Sequence, residues 1–311
     1  MALIQWIAAG TPEMKIEENW VQLDGHSMHY LKTGSGPDLI LIHGLLGTAS
    51  AWALSLPALG HESTVYAMDA LGIGRSDRVR GLDASLEATT DRLIAFMDAL
   101  EIREADFVGT SHGGAVAMML ASRHPERVRS LVLHAPANPF SNIADPLIRF
   151  YRTRLGKWFA RQVPTLPKTM QSLALGRMYG NPAQVHEGAL EIYVSSLTVP
   201  GTVEHVLRIL NGWTADMLRL AQALRKPLSQ PILLLWGTRD RAVSLESGYS
   251  LAKTLGDAEL VILPGAGHLP FEEDPPMFTK PVNRFLSRLD RGTRPAKAAG
   301  PVLIGRKPAG D

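Results

Sequence analysis

Short apolar runs alternate with longer amphipathic stretches along the first 135 residues. Residues 39–42, 64–68 and 105–108 are dominated by apolar side chains, a pattern typical of strands that are covered on both faces. Residues 86–100, between two of these runs, carry apolar side chains near helical spacing with charges between them. The repeated alternation predicts parallel β-α units with right-handed crossovers and helices on both faces of one sheet.

The remaining patterns extend this sheet at both ends. Alternating residues at 21–23 and 28–33 flank Asp24-Gly25 and predict an opening antiparallel hairpin. Further predicted elements are a helix over 49–59, strands over 129–134, 232–236 and 259–263, and a closing helix over 275–289 with Pro281 as a kink or break. The fold class is therefore α/β, with a mostly parallel eight-stranded sheet.

The alternation stops after residue 135 and returns near residue 226. The intervening stretch has no strand-like run and is rich in helix formers, aromatic residues and methionines. We interpret residues 1–135 and 226–290 as the core, 136–225 as a helical cap over the strand ends, and 291–311 as a disordered tail. The tail is rich in Gly, Pro, Ala and basic residues, and such segments bury too little apolar surface to fold.

Composition adds few constraints beyond a globular chain. The 311 residues carry a net charge of +2 and no cysteine. Without a clustered basic face we expect no nucleic-acid partner, and no apolar run reaches the length of a membrane span. Residues 1–10 are apolar but short and lack basic residues, so we expect a cytoplasmic protein, with a secretory signal as the alternative. The oligomeric state is left open.

The stretch Gly109-Thr110-Ser111-His112-Gly113 carries the most chemistry. It joins an apolar run to a helix-like run, and this is the context in which G-x-S-x-G forms a nucleophile elbow. A serine in this turn takes a strained backbone conformation that exposes its hydroxyl group, and the flanking glycines avoid collisions. Ser111 is therefore the candidate nucleophile.

A serine hydroxyl needs a base, and the base needs a group that fixes its tautomer. His268 lies on a Gly-rich loop after the last predicted strand, and Asp240 follows the preceding strand. The order serine, acid, histidine is the one expected for such a sheet. Asp257 and Asp274 are nearby rivals for the acid.

The oxyanion of an acyl-transfer reaction needs two backbone donors. We predict the N–H of His112, directly after the nucleophile, and the N–H of Leu45 on the loop after strand 39–42, with Leu46 as the fallback. His43, Leu46, His134 and Leu269 are candidate pocket residues, although His43 also suits a role in organising the loop. The ten histidines show no ligand spacing, so we expect no metal site.

Taken together, these motifs resemble the α/β-hydrolase superfamily over about residues 20–290. The segments that carry the resemblance are 43–44, 69–76, 109–114, 237–240 and 267–268. The resemblance implies a Ser111–His268–Asp240 triad, an acyl-enzyme route and no cofactor.

The resemblance is poorly specific for substrate. Haloalkane dehalogenases and epoxide hydrolases place aspartate where Ser111 stands, although Tyr179 and Tyr193 resemble epoxide-hydrolase tyrosines. Meta-cleavage hydrolases, which cut carbon–carbon bonds, usually carry tryptophan after the catalytic histidine, and here Leu269 follows it. Perhydrolases, hydroxynitrile lyases and non-catalytic binding proteins on this scaffold are further alternatives. We predict a serine carboxylesterase acting on small to medium apolar esters.

Overall fold

A computed structural model of the chain describes residues 14–141, 145–290 and 302–303. Its strands are β1 Glu17–Leu23, β2 His26–Thr33, β3 Asp38–Ile42, β4 Thr64–Met68, β5 Ala105–Thr110, β6 Val128–His134, β7 Ile232–Gly237, β8 Glu259–Leu263 and β9 Val302–Leu303. They form one sheet in the order β1-β2-β4-β3-β5-β6-β7-β8-β9. Strand β2 pairs antiparallel with β1 and β4, and all other pairs are parallel.

The predicted eight-stranded, mostly parallel sheet is confirmed, and the two-residue strand β9 lengthens it at the β8 edge. Most of the predicted tail, and the whole of the apolar segment 1–10, lie outside the described residues. The α-helices are α1 Leu56–Leu59, α2 Leu86–Ala99, α3 His112–Arg123, α4 Asp145–Arg152, α5 Arg154–Gln162, α6 Lys168–Gly176, α7 Ala189–Thr198, α8 Thr202–Ala223, α9 Leu245–Leu255, α10 Pro270–Glu273 and α11 Pro275–Asp290.

Two hydrophobic clusters cover the two faces of the sheet. Successive residues of β3 point to opposite faces, so Ile40 and Ile42 join the cluster that contains α2, α3 and α9. Leu39 and Leu41 join the cluster that contains α1 and α11. This double coverage explains why the central strands lack polar alternation.

Two predicted helices differ from the structure. The helix expected over 49–59 is a 3-10 turn, Ala49–Trp52, followed by α1. Pro57 explains the break, since it cannot donate a hydrogen bond to the preceding turn and instead lies in the first turn of a new helix. The closing helix α11 continues through Pro281, because Phe278, Val282 and Phe285 anchor one face of it in the core.

Five helices, α4 to α8, lie between β6 and β7, and no strand occurs there among the described residues. We call this segment the helical insertion. None of the helices within 14–141 and 145–290 is long and apolar enough to cross a membrane.

Candidate active site

Ser111 occupies a strained turn between β5 and α3. Its φ and ψ are 51° and −121°, a region that residues with a side chain rarely adopt. The turn is held by the Ser111 carbonyl, which accepts hydrogen bonds from Gly114 N at 3.0 Å and Ala137 N at 2.8 Å. Strain of this kind persists only where the surroundings fix it, and it concentrates at functional sites.

The glycines around Ser111 allow close backbone packing. A Cβ on Gly113 would lie 2.3 Å from the Ile42 carbonyl oxygen, and one on Gly109 would lie 2.6 Å from the Gly113 oxygen. Both distances are far below van der Waals contact, so neither position admits a side chain. The beginning of α3 is therefore pressed directly against the end of β3.

The loop after β3 lies beside Ser111. A Cβ on Gly44 would be 3.2 Å from Ser111 Cβ and 3.8 Å from Ser111 Oγ. The predicted oxyanion donors, the N–H groups of Leu45 and His112, flank this contact, and neither donates a hydrogen bond within the described part of the chain. Both N–H groups are therefore free to serve as the two donors that an oxyanion requires.

His43 fixes the conformation of this loop. The Ala70 N–H donates to its Nε2 at 3.1 Å, so the ring proton is on Nδ1 and is donated to the Gly44 carbonyl at 2.7 Å. Burial lowers the pKa of His43, although the Asp69 charge opposes this, and the neutral ring suits both bonds. Asp69 is itself committed to structural contacts, because it accepts from Ala49 N and Arg75 N.

Asp240 and His268 form a buried pair at the ends of β7 and β8. His268 Nδ1 lies 2.7 Å from Asp240 Oδ2, and Asp240 Oδ1 accepts from Ala242 N at 2.8 Å and Val243 N at 3.0 Å. Burial alone would raise the pKa of Asp240, but the charge and hydrogen bond of His268, with the Val243 N–H, lower it overall.

The ionised Asp240 determines the tautomer of His268. A carboxylate only accepts hydrogen bonds, so the proton lies on Nδ1 and the lone pair of Nε2 is free to act as a base. The structure thus pairs His268 with Asp240.

His134 connects this pair to Ser111. Its carbonyl accepts from Ser111 N at 3.0 Å, and its ring centroid lies 5.9 Å from that of His268. The ring is fully buried against Phe271 and Phe278, and burial lowers its pKa to about 3. His134 is therefore a neutral core histidine beneath the site.

The other predicted pocket residues are scattered. His43 lines a cavity of about 30 Å³ together with Leu45, His112 and, from α8, His205, which is room for water. Leu46 is exposed, Leu269 is buried in the core, and neither lines this cavity. Among the described residues no group of three potential ligands could hold a metal ion.

Sequence reasoning missed two buried carboxylates that hold the His268 loop against the helical insertion. Glu273 accepts from Gly267 N at 2.8 Å and Gly180 N at 3.1 Å. Glu272 accepts from the hydroxyl of Tyr179 at 2.7 Å and also from that of Tyr193.

The Glu272 contacts also account for Tyr179 and Tyr193 of the helical insertion. Both hydroxyl groups donate to Glu272, so neither is free in the way that the resemblance to epoxide-hydrolase tyrosines would require. In addition, the His268 N–H donates to the Met178 carbonyl at 2.6 Å. The insertion therefore positions the backbone that carries His268.

The fold and the site together define a hydrolase of the α/β class, and comparison with known sequences agrees. The chain belongs to the α/β-hydrolase fold family, whose sequence model matches residues 37–275. It is 29% identical to a 2-hydroxymuconate semialdehyde hydrolase of Pseudomonas sp. strain CF600, over 83% of this chain and 89% of that protein.

Two further similarities span a wider range of chemistry. The chain is 28% identical to a pimeloyl-[acyl-carrier protein] methyl ester esterase of Nitrosomonas europaea, over 81% of this chain and 96% of that protein. The solved structure of the epoxide hydrolase CorEH superposes with a TM-score of 0.78 at 20% identity, over 88% of this chain and 100% of that one. At this identity the superposition establishes the shared fold alone.

Proposed function

We propose that this protein is a serine hydrolase that cleaves carboxylic esters of small to medium apolar substrates through an acyl-enzyme. The observation that carries the proposal is the strained Ser111 beside two free N–H groups, with the His268–Asp240 pair at neighbouring strand ends. In this proposal Ser111, His268 and Asp240 are the catalytic residues, and residues 136–225 are a cap over them.

The reaction follows from these positions. Ser111 Oγ attacks the ester carbonyl while His268 Nε2 takes its proton, and Asp240 stabilises the imidazolium. The N–H groups of Leu45 and His112 hold the tetrahedral oxyanion. Collapse of the tetrahedral intermediate expels the alcohol, which leaves with the proton from His268. Water, activated by His268, then attacks the acyl-enzyme and releases the acid and free Ser111.

A second candidate is hydrolysis of a carbon–carbon bond in a vinylogous 1,5-diketone. It is favoured by the 29% identity to the 2-hydroxymuconate semialdehyde hydrolase. The same residues would act, but the leaving group of this reaction must be protonated at a carbon atom. The alkoxide that leaves an ester is protonated at oxygen and does not need this additional proton delivery. For this reason we rank ester cleavage first.

Substrate profiling with purified protein distinguishes these functions. We expect p-nitrophenyl esters of two- to eight-carbon acids to be hydrolysed with an initial burst, and Ser111→Ala to remove both burst and turnover. Faster cleavage of a vinylogous 1,5-diketone than of any ester would establish the second candidate. Tight binding of the esters or the diketone without turnover would instead indicate a binding protein.

A further inference from the structure

The first three helices of the helical insertion expose large apolar side chains in a regular pattern. Each helix presents a pair at i and i+3, which places the two members on one helix face. The pairs are Leu147 and Phe150 on α4, Leu155 and Trp158 on α5, and Met170 and Leu173 on α6. Single exposed apolar residues are ordinary, but repeated pairs on consecutive helices call for an explanation.

Helices α4 and α5 form one unit beneath these pairs. The Phe150 and Phe159 rings lie 6.2 Å apart, and a Cβ on Gly156 would lie 2.0 Å from the Phe150 carbonyl oxygen. Their inward side chains, such as Ile148 and Tyr151, pack with α8. Leu155 is still 64% exposed and Trp158 58% exposed. Neither side chain therefore contributes much to the packing of α4 and α5 against the rest of the protein.

Basic residues alternate with the exposed apolar pairs along the same helices. Residues 145–177 contain seven Lys or Arg and one acidic residue, Asp145. The rest of the chain holds 25 basic and 29 acidic residues, so the net positive charge comes from this segment. The small net charge of the whole chain, on which the expectation of no clustered basic face is based, conceals this local excess. Arg149, Arg154, Lys157 and Lys168 form no ion pair within the described part of the chain.

We propose that helices α4 to α6 form a docking surface for an anionic lipid bilayer. A helix that combines Lys and Arg on its polar face with Trp, Phe and Leu on the other lies in the membrane interface. The excess of cations favours anionic headgroups, since each Lys or Arg near such a surface strengthens binding about fivefold. The protein would lie on the membrane through this surface, without a spanning helix.

A vesicle flotation assay with the full chain tests the proposal. One vesicle set contains phosphatidylglycerol and phosphatidylcholine in equal amounts, and the other contains phosphatidylcholine alone. We expect at least tenfold more protein on the anionic vesicles at 0.1 M NaCl, and most of it released at 0.5 M NaCl, where screening is stronger.

Two variants separate the charged and apolar contributions. Arg149→Glu with Arg154→Glu should lower the partition coefficient at least about 25-fold by the same per-charge effect, and Leu155→Ser with Trp158→Ser should lower it at least tenfold. The matched control is Lys253→Glu with Lys280→Glu, two exposed lysines outside the insertion, which should leave binding within threefold. Circular dichroism verifies that each variant is folded.

Three outcomes would overturn the proposal. One is equal binding to both vesicle types, and another is an equal loss of binding in the control variant. The third combines two results: the wild-type protein does not bind vesicles, and sedimentation velocity shows a dimer that Leu155→Ser with Trp158→Ser dissociates. That result would assign this surface to a second copy of the chain. The assay contains no ester, so its outcome is separate from the proposed catalytic function.

Discussion

Replacing Asp240 by Asn inverts the tautomer of His268 while leaving the surrounding loop in place. Asp240 Oδ1 accepts from the N–H groups of Ala242 and Val243, and the amide oxygen of Asn can keep both bonds. The amide NH2 must then face His268, because the reverse orientation would point it at two donors. The side chain is fully buried, so no solvent relieves this constraint.

The NH2 group donates to His268 Nδ1, and the ring proton moves to Nε2. In that tautomer Nε2 cannot accept the Ser111 proton. The equivalent change in a well-studied serine protease lowers kcat about 10⁴-fold, which corresponds to about 5.4 kcal/mol at 1.36 kcal/mol per tenfold. We expect a loss of this size in kcat for p-nitrophenyl acetate, with KM changed less than threefold.

The control is Asp257→Asn, which makes the same chemical change at a rival aspartate, and urea unfolding verifies that both proteins are folded. The reasoning would be refuted if Asp240→Asn kept kcat within tenfold of wild type. It would also be refuted if Asp257→Asn lost as much activity as Asp240→Asn.

Changes at four further positions test the surroundings of the site. Gly44→Ala should fold normally yet lower kcat/KM at least tenfold, since its methyl group approaches Ser111 Oγ. Gly113→Ala should instead yield insoluble protein, because its methyl group collides with the β3 backbone. Soluble expression and p-nitrophenyl ester assays compare the two variants. Glu273→Leu leaves the Gly180, Asn181 and Gly267 N–H groups without their acceptor and should cost about 3 kcal/mol or more in urea unfolding, with Glu273→Gln losing less. The folded pKa of His134 is about 3 and an unfolded histidine has about 6.5, so the unfolded chain gains a proton as pH falls below 6.5 and stability falls. His134→Leu should therefore reduce the loss of unfolding free energy between pH 7 and pH 5 by about 2 kcal/mol, and an unchanged loss would contradict the buried neutral ring.

The sheet was predictable because its strands are bounded locally. Thr64–Met68 and Glu259–Leu263 match the predicted bounds residue for residue, since in each a polar first residue is followed by an apolar run that ends at a turn. The segment 49–59 was not predictable in the same way. Its two short helices are set partly by a distant contact, the hydrogen bond from Ser55 Oγ to the Phe271 carbonyl, 216 positions away.

In the candidate site, too, local features could be predicted from the sequence and long-range contacts could not. Ser111, Asp240 and His268 stand in recognisable turns after strands, so the sequence alone was enough to propose them. The contacts of Glu272 and Glu273 with the helical insertion join residues 79 to 93 positions apart. Two glutamates before Pro275-Pro276 give no periodic signal, and only tertiary packing reveals that they hold the His268 loop. Leu46 and Leu269, in contrast, are pocket candidates only because they adjoin Leu45 and His268 in sequence, and adjacency does not determine where a side chain points.

Covalent labelling of Ser111 tests the central proposal most directly. The protein is incubated with a serine-directed fluorophosphonate, and its intact mass and tryptic peptides are measured. We predict a single adduct on the peptide containing Ser111, formed in step with loss of esterase activity, and at least 100-fold slower labelling in His268→Ala. No adduct, or an adduct on another serine with activity lost, would contradict the assignment of Ser111 as the nucleophile.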